Sequence, residues 1–230
     1  MSCRLFYKQE ERMGTNQENS LRGRVFQTMR DNILNGVYQE NDELRENTIA
    51  AELGVSRTPV REALRQLELE GLVKMIPNKG AFVTGITAND VKDIYAIRSM
   101  LEGMCARWAT EYITEEQIED LEEIILLSEY HVKKAKGEKS QQVTELDGKF
   151  HEILYNASNS RILNHVLSDF HKYVRMARKA SVANPERAEK SIEEHKHILE
   201  ALKNRDAEQA EYWANTHMMN VMKYLKIEKE

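Results

Sequence analysis

Helical periodicity dominates the second part of this sequence and constrains its fold more than any other feature. From residue 88 onward, apolar residues recur every three or four positions in six successive stretches. These stretches are 88–112, 115–136, 139–157, 159–180, 185–203 and 206–227. Because short connections separate them, consecutive helices are expected to be antiparallel neighbours. Residues 85–230 are therefore predicted to form an all-helical antiparallel bundle of about six helices.

Residues 21–84 show a different pattern, in which three helices precede a hairpin. The segment LRGRVFQTMRDNILNGVY is a helical pattern that stops at an Asn-Gly pair. ENTIAAELG is a short helix closed by Gly54, and SRTPVREALRQLELEG begins at the capping residue Ser56 and ends at Gly71. The apolar runs LVKMI and AFVTG then flank the turn-forming PNKG. The fold class is thus mainly α, with one small β-hairpin.

The arginines of this segment follow one face of its third helix. Two short helices joined by a tight turn, with a hairpin behind them, form a winged helix-turn-helix. Arg57, Arg61 and Arg65 repeat every four residues on the second of the two helices. A guanidinium group can bind guanine bidentately or clamp a phosphate. The alternative is an ordinary solvated face shared with Glu62 and Glu68, but the surrounding turn, cap and hairpin favour a DNA-binding helix.

The order of these elements is specific enough to identify a family. The stretch ELRENTIAAELGVSRTPVREALRQLELEGLVKMIPNKGAFV resembles the winged helix-turn-helix of GntR-type bacterial transcription regulators. The resemblance covers about residues 21–84 and implies that Arg57 and Arg61 contact operator bases and phosphates, while Gly80 of the wing approaches the minor groove. The family often has a DNA-contacting arginine where this chain has Asn47, with Arg45 two residues earlier. The predicted DNA-binding residues are Arg45, Asn47, Ser56, Arg57, Thr58, Arg61, Arg65, Asn78, Lys79 and Gly80.

Composition and charge narrow the class of protein. The net charge of −5 argues against a chain that coats nucleic acid. Residues 21–84 are neutral, however, and residues 85–230 carry the whole excess of acidic residues. Two cysteines, Cys3 and Cys105, do not make a disulfide framework, which suits a reducing cytoplasm. No apolar run reaches the roughly 18 to 20 residues that cross a bilayer. Residues 1–20 are predicted to be a polar, disordered arm rather than a secretory signal.

Four polar residues interrupt the apolar stripes of the predicted bundle. Asp147 and His151 lie four residues apart on one helix, whereas His195 and His217 lie on two others. Burying unpaired polar groups costs about 1–3 kcal/mol each, so these side chains should meet one another or a ligand. One carboxylate and three imidazoles can hold a divalent transition ion. The alternative is a buried hydrogen-bond network in which Asp147 orients a histidine.

Residues 88–227 resemble the FCD-type ligand domain of the FadR subfamily of these regulators. The resemblance implies a metal held by Asp147, His151, His195 and His217, with zinc, nickel or manganese all compatible. It also places Arg98 where the family often has a pocket-facing arginine, which would suit a small carboxylate effector. The alternative for Arg98 is an ion pair with Glu102. Arg175 is a second, weaker candidate for the effector site.

These features together predict a cytoplasmic transcription regulator rather than an enzyme. A single recognition helix covers a short half-site, so a homodimer on a roughly palindromic operator DNA is expected, with no membrane partner. A small carboxylate would shift the population between two arrangements and thereby relieve repression. Two alternatives remain open. One is a non-haem metal-dependent enzyme that uses two histidines and one carboxylate, and the other is a structural metal in a DNA-binding protein without an effector.

Overall fold

The computed structural model describes residues 20–77, 79–135, 141–175, 177 and 184–227. The chain divides into two compact units, which join between residues 87 and 88. The predicted arm at residues 1–20 lies outside the described residues except for Ser20, and Asn78 at the predicted wing tip lies outside them as well.

The first unit is a winged helix-turn-helix, which confirms this part of the predicted fold class. Its elements are α1 (Leu21–Leu34), β1 (Glu43–Leu44), α2 (Glu46–Leu53), α3 (Arg57–Leu69), β2 (Val73–Ile76) and β3 (Gly80–Val83). The strands form an antiparallel sheet in the order β1-β3-β2. Strand β1 was not expected, because a two-residue strand is too short to show alternation and exists only through its pairing with β3.

The turn between α2 and α3 follows from local sequence. Gly54 ends α2 with a φ of 64°, a left-handed conformation that glycine adopts without a steric penalty. Ser56 occupies the N-cap position of α3 with extended backbone, but its side chain makes no capping hydrogen bond. Val60, Leu64 and Leu67 of α3 are at most 1% exposed, so the arginines of this helix lie on the opposite, outer face.

Every element described in the second unit is a helix, as predicted. Its elements are α4 (Ala88–Tyr112), α5 (Glu115–Ala135), α6 (Gln141–Ala157), α7 (Arg161–Tyr173), α8 (Pro185–Lys203) and α9 (Ala207–Leu225). The side chains of Ser160, Asn184 and Asp206 cap the starts of α7, α8 and α9. None of the described helices has both the length and the apolar character needed to span a bilayer.

Helices α4 and α9 approach closely at a glycine. A Cβ atom placed on Gly103 would overlap the amide end of the Asn215 side chain, so a larger residue here would require that side chain to move. Glycine inside a helix costs about 1 kcal/mol relative to alanine, which makes close packing the physical reason for its presence. Two residues beyond Asn215, α9 carries His217.

Candidate DNA-reading surface and candidate metal centre

The three predicted arginines of α3 are exposed, and two of them, Arg57 and Arg61, share one carboxylate. The side chains of Arg57, Arg61 and Arg65 are 59%, 47% and 65% exposed. Glu46, at the start of α2, accepts hydrogen bonds from Nη2 of Arg57 at 3.1 Å and from Nη2 of Arg61 at 2.8 Å. The bond from Arg61 lowers the pKa of Glu46 to about 2; partial burial opposes this shift and Arg57 adds to it. Sequence reasoning missed Glu46.

The other predicted DNA-binding residues lie around the same surface. All of those that the structure describes are exposed, namely Arg45, Asn47, Ser56, Thr58, Lys79 and Gly80. Arg45 donates to Glu43 at 2.6 Å, and Gly80 has a φ of 103°. A groove of about 320 Å³ is lined by residues that include Arg45, Asn47, Arg57 and Gly80. The start of α2, the helix α3 and the sheet therefore contribute to one concave surface.

The three predicted histidines meet inside the second unit. One ligand atom each from His151 of α6, His195 of α8 and His217 of α9 lies within 4.8 Å of the others. All three side chains are buried, and Oδ1 of Asp147 lies 4.0 Å from Nε2 of His195. The ring of His195 stacks on Phe150 at 3.9 Å between centroids, which fixes the imidazole plane. The structure thus brings the three histidines together and places Asp147 near one of them, His195.

Burial keeps two of these imidazoles, His195 and His217, in the form that can bind a metal. Burial lowers the pKa of His195 well below its ordinary value, and the neighbouring His217 and His151 lower it further. Burial also lowers the pKa of His217, although its hydrogen bond with Glu194 opposes the shift. Neutral imidazole is the form that coordinates a cation, so the lowered pKa values of His195 and His217 favour metal binding at these two rings.

Two carboxylates outside the predicted set lie against histidines of the cluster, and one of them, Glu194, makes a hydrogen bond. Oε2 of Glu194 lies 2.7 Å from Nδ1 of His217, and Oε2 of Glu102 lies 3.3 Å from Nδ1 of His151. A carboxylate that holds one ring nitrogen directs the other nitrogen toward a ligand and raises its basicity. Burial alone would raise the pKa of each carboxyl, but neighbouring cationic groups and hydrogen bonds lower both. These two residues were missed because the partners lie on different helices.

The two predicted effector residues have different environments. Arg98 is buried and donates to Oε1 of Glu102 at 2.6 Å, and the hydroxyl of Tyr155 donates to the same oxygen at 2.6 Å. In this state the ion pair with Glu102, one of the two alternatives for Arg98, is formed. Arg175 is exposed. A role for either arginine in effector binding stays a prediction.

The donor set fits a metal ion on grounds of chemistry and burial. Nε2 of His195 is buried and has no hydrogen-bond partner among the residues that the structure describes. Desolvating a polar atom without a partner is unfavourable, and a metal ion beside it would remove that cost. Three imidazole nitrogens and a carboxylate are ligands that zinc, nickel and manganese all accept.

Two protein families match this chain, one for each of its two units. The profile of the bacterial regulatory proteins of the gntR family matches residues 21–83, and that of the FCD domain matches residues 93–220. The chain is 31% identical over 194 residues to the HTH-type transcriptional regulator YdhC of Bacillus subtilis, covering 84% of this chain and 86% of that protein. It is 34% identical over 134 residues to the gluconate operon transcriptional repressor of the same species, covering 58% and 54%.

A solved structure has a similar fold over most of the chain. Escherichia coli McbR/YncC superposes with a TM-score of 0.70 at 25% identity, covering 90% of this chain and 97% of that one. Relatives and matching families are transcription regulators, so the alternative of a metal-dependent enzyme is wrong. The chain belongs to the GntR family of bacterial transcription regulators and carries an FCD domain after its DNA-binding domain.

Proposed function

We propose that this regulator is a cytoplasmic repressor whose operator binding is controlled by a small carboxylate bound beside a metal in the FCD domain. Residues 21–84 would bind DNA and residues 85–230 would bind the metal and the effector. The observation that carries the DNA-binding part is the exposed face of α3, where Arg57, Arg61 and Arg65 follow a tight turn and lie beside the wing. Arginines in this position can reach base edges in the major groove.

The metal would be held by Asp147, His151, His195 and His217. The convergence of the three histidines in a buried cluster supports this set, as do the carboxylates that lie beside two of the rings. Zinc is our first choice, and nickel and manganese have compatible ligand preferences. When bound, the ion would supply a Lewis acid that attracts an anionic oxygen of the effector.

Repression relieved by the effector is the direction we propose. One relative is named as the repressor of a gluconate operon, and gluconate is itself a small carboxylate. An effector that binds more tightly to an arrangement unsuited to the operator would shift the population away from DNA. By linkage, operator DNA would weaken effector binding by the same factor.

A homodimer would supply two recognition helices for two half-sites. Helix α4 carries large apolar side chains that are exposed at intervals of three or four residues: Ile97, Met100, Met104, Trp108 and Tyr112. A continuous apolar row of this kind on one helix face marks an interaction surface. We propose that a second copy of the chain covers it, because a symmetric pair also matches a palindromic operator.

Sedimentation of the Met104→Asp variant tests this interface, because a charge in the apolar row should weaken the dimer. Lys92→Asp, elsewhere on α4, is the control. A dimer in both variants would contradict the proposed interface.

A gel-shift experiment tests the proposed function. Purified metal-loaded protein should retard the promoter fragment of its own gene in excess competitor DNA, and acetate, L-lactate, D-gluconate and citrate should be screened for release. Release by at least one carboxylate, and not by equal ionic strength of chloride, is expected. Binding that no carboxylate alters would contradict effector control, and failure to bind the fragment would contradict the repressor assignment.

A further inference from the structure

Three buried polar side chains follow one face of α8 at intervals of four residues. Arg187, Ser191 and His195 are each 4% exposed. Residues four apart on a helix lie above one another, about 6 Å along the axis. The row thus leads from the candidate metal centre at His195 to the first turn of α8.

Each member of this row has a buried polar atom without a hydrogen-bond partner in the described part of the chain. These atoms are Nε and Nη1 of Arg187, Oγ of Ser191 and Nε2 of His195. Buried polar groups in folded proteins are nearly always satisfied, so each exception requires an explanation. The proposed metal accounts for Nε2 of His195, so the unpaired atoms of Arg187 and Ser191 are the ones that point to a further ligand.

The guanidinium of Arg187 lies immediately beside the histidine cluster. Its Nη2 donates to Oε2 of Glu194 at 2.8 Å, and the same oxygen lies 2.7 Å from Nδ1 of His217. This contact fixes one edge of the guanidinium, whereas Nε and Nη1 have no partner in the part of the chain that the structure describes. In addition, Arg187 lies in the first turn of α8, where the helix dipole disfavours a positive charge and favours an anion.

The charges of the cluster favour an anionic ligand. The two buried ion pairs, Arg98–Glu102 and Arg187–Glu194, are each neutral. Asp147 carries one negative charge and a divalent ion would bring two positive charges, so a net positive charge would remain buried. A carboxylate would neutralise it and offers only acceptor oxygens to the N–H and O–H donors of the row. Arg98 is less suitable, because both its Nε and its Nη2 already donate to Glu102.

We propose that Arg187 and Ser191 form the carboxylate-binding subsite of the effector site, with the guanidinium and the hydroxyl donating to the carboxylate beside the histidine cluster. This inference rests on the proposed effector control and names the residues that select the effector. Sequence reasoning selected Arg98 and Arg175 for this role and missed Arg187.

Calorimetric titration of the full-length zinc-loaded protein tests the subsite. The probes are acetate, L-lactate, D-gluconate and citrate, with inorganic phosphate as a second anion at matched ionic strength. Ser191→Ala removes a hydroxyl that has no partner among the described residues, so the thermal midpoint without ligand should be unchanged or higher. Arg187→Lys keeps the charge beside Glu194 but removes the guanidinium donors. Lys190→Met, on the exposed side of the same helix, is the matched control.

We expect Arg187→Lys to weaken binding of the responsive carboxylate by about tenfold or more, as for loss of a hydrogen bond to a charged group, and Ser191→Ala to weaken it by about fivefold. The control should bind as the wild type does, and zinc content by elemental analysis should be equal in all four proteins. Unchanged affinity in both α8 variants would overturn the subsite. Wild-type protein that binds none of the carboxylates, or binds phosphate more tightly, would overturn its chemistry.

The same preparations distinguish this failure from failure of the proposed function. If the carboxylate releases the promoter fragment from the wild type and from both α8 variants at equal concentrations, effector control stands and the subsite is wrong. If the fragment is not bound at all, the repressor assignment itself fails.

Discussion

At the residue scale, the charge of Glu46 holds two of the candidate DNA-binding arginines, Arg57 and Arg61. Its carboxylate accepts hydrogen bonds from both Arg57 and Arg61 in the absence of DNA. The ion pairs hold the two side chains on one surface but also neutralise part of their charge. Since DNA phosphates compete for the same guanidinium donors, Glu46 should weaken contacts that depend on charge alone.

Glu46→Gln should raise affinity for non-specific DNA and reduce the preference for the operator. Removing the carboxylate frees about one positive charge for phosphate contacts, so the plot of log affinity against log salt should steepen by about 0.9. Fluorescence anisotropy with operator and scrambled duplexes at several salt concentrations measures both quantities. Glu62→Gln, beside Arg65, is the matched control. An unchanged salt slope in the Glu46 variant would contradict this role.

The acid titration of Glu46 provides a separate prediction. Its pKa is lowered from 4.5 to about 2 in the folded state. A carboxyl whose pKa is lowered on folding stabilises the fold above its unfolded pKa, and this contribution is lost as pH falls through about 2. Carboxyl carbon NMR should therefore give a midpoint near 2 in the wild type and a higher one in Arg61→Ala, because Arg61 is the main cause. A wild-type midpoint near 4.5 would show that the ion pair does not form in solution.

At the element scale, the contact between α4 and α9 positions one histidine of the cluster. Gly103 faces Asn215, and His217 follows two residues later on α9. Because a Cβ at Gly103 would overlap the Asn215 side chain, Gly103→Ala should lower the free energy of unfolding by about 1–3 kcal/mol. The double variant with Asn215→Ala should recover most of this loss, since alanine favours a helix over glycine by about 1 kcal/mol.

A double-mutant cycle by chemical denaturation measures the coupling between these two positions. Zinc affinity should fall in Gly103→Ala, because a displaced α9 moves His217. It should recover in the double variant, where α9 can pack against α4 as in the wild type. Ala96→Ser, elsewhere on α4, controls for a general effect of substitution in this helix. If the two substitutions were additive within about 0.5 kcal/mol, the contact would not determine the position of α9.

Local sequence predicts elements better than it predicts their contacts. The six helical stretches and the turn at Gly54 depend on periodicity and on residues close in the chain, so they were predictable. The fourth stretch was predicted to reach residue 180, whereas α7 ends at Tyr173. The histidine cluster was also predictable, since each polar side chain interrupts an apolar stripe. The bond between Glu194 and His217 was not, because it depends on which faces of α8 and α9 meet.

Arg187 was not among the effector-site residues predicted from the sequence. Its spacing of four from Ser191, and of eight from His195, was visible in the sequence. The apolar stripe of α8 was defined by other residues, and an arginine in the first turn of a helix is ordinarily solvated. Only the burial of its side chain and its unpaired nitrogens distinguish it from a surface residue.

At the scale of the whole molecule, the metal should stabilise the FCD domain without being required for the DNA-binding domain to fold. The double variant His195→Ala, His217→Ala should lose bound metal by elemental analysis, because it removes two of three clustered imidazoles. A metal present at about a hundred times its dissociation constant adds roughly 2.7 kcal/mol of stability, which this variant should lose. His197→Ala, on the exposed side of α8, should keep its metal. Full metal occupancy in the double variant would rule out the ligand set.

The measurement that tests the account most directly is the affinity of the zinc-loaded protein for its promoter DNA, with and without the responsive carboxylate. By anisotropy, the wild type should prefer the promoter fragment to a scrambled duplex, and the carboxylate should weaken that binding. Arg57→Ala or Arg61→Ala should each cost about 1–3 kcal/mol of binding free energy, and Arg187→Lys should bind DNA normally but respond poorly to the carboxylate. Equal affinity for both duplexes, unchanged by these arginine substitutions and by every carboxylate tested, would contradict the account.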